Sequence, residues 1–156
     1  MSKMERSKMK NLVLAALLLM SCVTAKATCP LFDKIEYEGE SLVVPKPTDF
    51  PRSKEYTAWF GAIDQSRCSA VNQGRPRYVV EDGLMYLVDF YGCGTKLDAA
   101  EAYSGSPSKV LAVWLTGDYE AYSPLGYCPF LDQESLVRVF SIIKGKIFDI
   151  KSRARF

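Results

Sequence analysis

Residues 78–92, YVVEDGLMYLVDFYG, decide the class of fold. The residues on either side of Asp82-Gly83 are mostly β-branched, aromatic or apolar, and an Asp-Gly pair supplies the two positive φ angles of a tight hairpin turn. In the register this turn sets, Val80 lies opposite Met85 and Val79 opposite Tyr86. Residues 135–152, SLVRVFSIIKGKIFDIKS, repeat the arrangement around Lys144-Gly145. A two-residue turn there puts Val137, Val139, Phe148 and Ile150 on one face, expected to be buried. Leu136, Arg138, Phe140, Asp149 and Lys151 share the other, expected to be half exposed. Two shorter extended runs flank Glu38-Gly39 in KIEYEGESLVVP, and single strands are expected over Tyr56–Ile63 and Val110–Thr116.

Helix signals are few. TKLDAAEAYSGSP (95–107) reads as two turns, with Thr95 as cap and Gly105 as stop. PKPTDFPRSK (45–54) carries three prolines and reads as an ordered surface loop. The expected fold is therefore mainly β: a single antiparallel sheet, sandwich or small barrel, with at most one short helix.

The N-terminus has a different character. Lys3, Arg6, Lys8 and Lys10 precede an apolar run from Leu12 to Val23, and small residues follow, ending in Ala25-Lys26-Ala27. A membrane-spanning helix needs roughly 20 apolar residues, so this run is too short to cross. A basic segment, a short apolar core and an A-x-A site describe an export signal. The expected organisation is a signal peptide over residues 1–27 and one β-rich domain over 28–156, placed in the periplasm or secreted. Leu19-Met20-Ser21-Cys22 is an alternative processing site at which Cys22 would be acylated and hold the chain to a membrane. Met20 departs from the usual lipobox, and cleavage after Ala27 is favoured.

Removing the signal reverses the sign of the charge. Five of the 20 Lys and Arg and one of the 18 Asp and Glu lie in residues 1–27, leaving 15 basic and 17 acidic residues. A chain so close to neutral has no field to draw nucleic acid, and that partner class is excluded. The one basic run, Lys144, Lys146, Lys151, Arg153 and Arg155, reads as a solvated strand face and tail.

Either processing route leaves Cys29, Cys68, Cys93 and Cys128 to pair, and an even number in an exported domain argues for two disulfides. Cys68–Cys93 with Cys29–Cys128 is the favoured connectivity of the three that four cysteines allow. No C-x-x-C pair is present, which disfavours zinc.

YTAWFGAI, VVEDGLMYLVDF, KVLAVWLTGDY and VFSIIKGKIF, taken in that order, resemble a family of small bacterial proteins. In that family an aromatic-Gly segment precedes a D-G hairpin ending in L-Y-L, and a V-x-A-x-W-x-x-G strand follows. The resemblance covers roughly Tyr56 to Phe148 and implies a β-rich single domain. The family carries no assigned activity, so the resemblance implies no site. The chain departs from it by the stretch SRCSAVNQGRPR and by its four cysteines. The matching residues, Trp59, Gly61, Asp82, Gly83, Tyr86, Trp114 and Gly117, are turn and core types, and both tryptophans are read as core.

The chain has no histidine. That removes Ser-His-Asp and Cys-His nucleophiles, histidine bases and histidine metal sites together. Gly92-Cys93-Gly94-Thr95-Lys96 lacks the G-x-x-x-x-G-K-[ST] spacing of a phosphate loop and reads as a turn. No catalytic residue, cofactor or metal ligand is assigned. The candidate acids are Asp89, inside a strand, where it needs a partner or a raised pKa, and the pairs Asp118 with Glu120 and Asp132 with Glu134. The expected function is an exported binding or inhibitory module of the bacterial envelope, of the immunity type, with a protein partner. The alternatives are a carboxylate-dependent hydrolase of envelope glycan and a structural lipoprotein.

Overall fold

The structure is a computed structural model that describes residues 31–63, 74–105, 107–123 and 135–155. Nine strands occur among these residues. They are β1 (Asp33–Tyr37), β2 (Glu40–Val44), β3 (Arg75–Glu81), β4 (Leu84–Gly92), β5 (Thr95–Asp98), β6 (Val110–Leu111), β7 (Gly117–Tyr122), β8 (Ser135–Ile143) and β9 (Lys146–Arg155). Two helices accompany them, α1 (Lys54–Ala62) and α2 (Ala99–Ala102).

The strands form one sheet in the order β3-β1-β2-β7-β8-β9-β4, and β4 pairs in turn with β3, so seven strands run in a closed circuit. Of the three architectures expected, this is the small barrel. It differs from expectation in orientation: β1 and β3 are parallel, pairing Ile35 with Tyr78, while the other pairings are antiparallel. Ile35, Leu42, Tyr78, Met85, Leu87, Phe140 and Ile142 are each at most 2% exposed and fill the interior.

The Asp82-Gly83 hairpin keeps its expected register, Val80 opposite Met85 and Val79 opposite Tyr86. Further along, Arg77 pairs with Asp89 while Tyr78 still pairs with Leu87, which leaves Val88 as a bulge. The Lys144-Gly145 hairpin also bulges; Val137 is buried and Leu136 half exposed as expected, but Phe140 and Phe148 lie opposite to expectation. Ser141 pairs with Asp149 and Ile142 with Ile147, so Phe148 is the extra residue and every pair beyond it shifts by one. Phe140 consequently lies opposite Ile150 and is fully buried against the Tyr37 ring, 5.5 Å away edge-on, whereas Phe148 is 60% exposed.

The segment expected as a strand over Tyr56–Ile63 is α1, which also exceeds the single short helix expected. Ser53 caps it: the Tyr56 amide donates to Ser53 Oγ at 3.0 Å, and Thr57 N and Oγ1 both donate to the Ser53 carbonyl. Tyr56, Trp59 and Phe60 stand at i, i+3 and i+4, a helical stripe that faces the barrel core. In the 95–107 segment the helix is one turn, Ala99–Ala102, because Thr95–Asp98 pairs with β4 as a strand. Thr95 therefore bonds the Gly92 carbonyl at 2.9 Å and caps nothing. Of Val110–Thr116 only Val110–Leu111 is a strand; the chain then turns, with the Leu115 amide donating to the Ala112 carbonyl at 2.9 Å. Trp59 and Trp114 are partly buried against the core, as expected.

Gly145 closes the ring. Its carbonyl accepts from the Met85 amide at 2.8 Å, and its own amide donates to the Leu115 carbonyl at 3.0 Å. Its φ is +78°, and a Cβ there would stand 2.9 Å from the Ala112 carbonyl oxygen. Gly145→Ala is therefore expected to cost about 2 kcal/mol, the left-handed penalty plus a backbone clash, read as a fall in the urea midpoint at unchanged slope.

Cys93 sits at φ 53° in the turn between β4 and β5. Cys22, Cys29, Cys68 and Cys128, and with them the expected bridges and the lipidation site, lie outside the described residues, as do residues 1–27. No helix among the described residues is long and apolar enough to cross a membrane.

Candidate functional site

Asp33 begins β1 and is 1% exposed. The pattern places it on the inward face with Ile35, two residues on, and β2 puts Val44 opposite it. The proline-rich loop after β2 bends back over it. Thr48, itself 6% exposed, donates to Asp33 Oδ2 twice, from its amide at 2.5 Å and its hydroxyl at 2.7 Å. The Thr48 hydroxyl has one proton and gives it to Asp33. The Tyr78 hydroxyl, 2.8 Å away, must therefore donate to Thr48 Oγ1. The second carboxylate oxygen, Asp33 Oδ1, has no hydrogen-bond partner among the described residues, and Arg75 Nη1 approaches it only to 3.7 Å. Burial raises the Asp33 pKa, opposed by the Thr48 bonds and the Arg75 charge. Burial likewise pushes the Tyr78 phenol upward.

Asp33 lines a cavity of about 250 Å³. Thr48, Asp49, Phe50 and Arg52 come to it from the proline-rich loop, Tyr56 and Phe60 from α1, and Gly74 and Arg75 from the start of β3. The lining thus combines two carboxylates, two guanidinium groups and an aromatic wall. Phe50 meets Tyr56 edge-on at 5.0 Å, and the Tyr56 hydroxyl donates to the Gly74 carbonyl at 3.1 Å. Gly74 has φ +62°, and any side chain there would overlap the Tyr56 hydroxyl and the Phe60 ring. That glycine lets the wall close.

Asp89 belongs to a different cluster. The Val88 bulge brings it opposite Arg77, which donates to both carboxylate oxygens, through Nε at 3.0 Å and through Nη2. Lys96 Nζ lies 3.4 Å away and also reaches Asp98 at 2.7 Å. Asp89 is 1% exposed, so its strand-interior position is met by specific partners. Asp118 is exposed and accepts from Ser141 Oγ at 2.6 Å; Glu120 accepts from the Tyr122 hydroxyl at 2.6 Å and pairs with Arg153. None of the three lines the cavity. Asp132 and Glu134 lie outside the described residues. The acids the cavity does bring together, Asp33 and Asp49, were not among the sequence candidates. The available signal was weak: an acid one turn of pleat before Ile35, and a second inside a loop read as surface. No group of three His, Cys, Asp or Glu among the described residues is placed to hold a metal.

A third feature surrounds the Lys144-Gly145 turn. Ile143 is 53% exposed, Phe148 60% and, in the turn packed on Gly145, Val113 54%. Lys146 stands over the Phe148 ring at 5.5 Å. Neither Lys144 nor Lys146 takes an ion pair among the described residues. In the rest of the basic run, Lys151 pairs with Asp149 at 3.2 Å and Arg153 with Glu120, as a solvated strand face requires.

Comparison of the chain with protein-family models, with curated proteins and with solved structures found no match.

Proposed function

We propose that the protein is an exported binding module of the bacterial envelope that holds or inhibits a protein partner there. The observation that carries this reading is the apolar face around the Lys144-Gly145 turn. Ile143 and Phe148 stay more than half exposed on the hairpin that helps close a hydrogen-bonded barrel, and Val113 does so in the neighbouring turn packed on Gly145. Such a face is rigid before binding, so little ordering entropy opposes association. The two lysines at its edge suit a partner whose apolar patch is rimmed with acids. In this reading Cys29, Cys68, Cys93 and Cys128 form two disulfides after export.

The test is affinity capture from an envelope extract of the source cells. The native chain is expected to recover a stoichiometric protein, and the double variant Ile143→Ser with Phe148→Ser at least tenfold less of it. Equal recovery by the two chains, or no stoichiometric protein at all, would remove the reading.

A second reading, hydrolysis of envelope glycan, draws support from Asp33 and Asp49, two acids at one cavity. Release of reducing ends from cell-wall glycan by the native chain, lost in Asp49→Asn, would put it ahead of the first.

A further inference from the structure

We propose that the cavity beside Asp33 is a binding site for a single neutral, hydroxyl-rich sugar ring, independent of the apolar face at the Lys144-Gly145 turn. The first support is the state of Asp33. Its side chain is 1% exposed and one oxygen is saturated by Thr48, while Oδ1 keeps no hydrogen-bond partner. A buried acceptor left open costs free energy that a donor from a guest would offset. The second is charge. Two acids, Asp33 and Asp49, and two bases, Arg52 and Arg75, share the lining. A phosphate would meet the Asp33 carboxylate, and an ammonium would meet Arg75, whose Nη1 is 3.7 Å from Oδ1. A hydroxyl group carries no charge, donates to Oδ1 and accepts from a guanidinium, so it suits both.

Size and shape narrow the class. About 250 Å³ lies below the roughly 300–1,000 Å³ of sites for drug-sized ligands, which fits one ring and excludes an extended chain. Phe50 and Phe60 line the same space and offer apolar surface to the C–H face of such a ring. A polyol without a ring would satisfy Asp33 and leave that wall bare.

Saturation-transfer NMR on the full exported chain tests this directly, with glucose, galactose and N-acetylglucosamine and their methyl glycosides as probes. Inorganic phosphate, methylammonium and acetamide serve as competitors. At least one sugar is expected to receive saturation, with a dissociation constant on the order of millimolar for so few atoms. Asp33→Asn, which keeps the shape and removes the charge, is expected to weaken binding about tenfold, and Arg52→Gln about threefold. Arg52 is exposed, so the second variant reports even if the first fails to fold. Binding of both free sugar and methyl glycoside assigns the site to the end of a glycan; binding of free sugar alone assigns it to a soluble sugar. Either result supports the proposal. It is overturned if no sugar receives saturation, if phosphate, methylammonium or acetamide displaces the sugar at equal concentration, or if both variants bind as the native chain does. Ile143→Ser with Phe148→Ser is expected to leave sugar binding intact, which separates failure here from failure of the partner reading.

Discussion

Arg77→Met is expected to lower the unfolding free energy by about 3 kcal/mol, more than removal of its partner Asp89. The asymmetry follows from exposure. Asp89 is 1% exposed and Arg77 34%, so loss of the arginine strands a charge away from water, while loss of the acid leaves a guanidinium that still reaches it. Lys96, at 3.4 Å and half exposed, offsets only part of the loss because its ammonium is also held by Asp98. Asp89→Leu alone is expected to cost about 1–2 kcal/mol, close to the worth of a charged hydrogen bond. The double variant Arg77→Met with Asp89→Leu should return to within about 1 kcal/mol of the native chain, since neither member then strands the other. Urea midpoints at constant slope read all three. Additive losses would show that the two side chains are not coupled, and the bulge at Val88 would then need another reason.

That bulge marks where the sequence stopped being legible. Asp82-Gly83 announces its own turn, because two consecutive positive φ angles admit few residues, and the register near it follows by counting. Val88 and Phe148 carry no such mark. A bulge is set by what the strand meets across the sheet, here an arginine that needs a carboxylate and a barrel wall that needs Phe140 inside. Each displaces the pairing by one residue, which is enough to exchange faces. Helix α1 was legible in principle. Ser53 and the i, i+3, i+4 spacing of Tyr56, Trp59 and Phe60 are helix signals, while the same aromatic residues are also enriched in strands.

The cavity is harder to foresee than the fold. Its parts come from β1, the proline-rich loop, α1 and the start of β3, and only the parallel pairing of β1 with β3 sets Asp33 near Arg75. Parallel pairing leaves no local sequence trace, since its partners are joined by a long crossover and not by a turn. Thr48 is the instructive residue: a threonine between prolines reads as surface, yet it is buried because its own amide and hydroxyl both reach the Asp33 carboxylate and the Tyr78 phenol reaches its hydroxyl.

Thr48→Val should therefore destabilise the fold about as much as Arg77→Met, by about 3 kcal/mol at pH 7. The swap keeps the shape, removes one donor to Asp33 and deprives the buried Tyr78 hydroxyl of its acceptor. Asp33→Asn should act in the opposite direction, gaining about 1 kcal/mol at pH 7, as expected where a binding group is retained at a cost in stability. The pH dependence fixes the cause. Burial raises the Asp33 pKa above the ordinary 3.8, so in the window just above that value the folded chain binds more protons than the unfolded one. Stability from this group is then fully present below the unfolded pKa and is lost as pH rises through the folded pKa. The difference between the native chain and Asp33→Asn should accordingly grow in favour of the variant from pH 4 upward and then level off. Thr48→Val, which removes a bond that favours the charged form, should extend the same decline to higher pH. Urea midpoints at each pH decide between the accounts. A difference curve that stays flat, or an Asp33→Asn chain weaker than native at every pH, would mean that Thr48 and Arg75 fully compensate the buried carboxylate, and the open oxygen would no longer call for a guest.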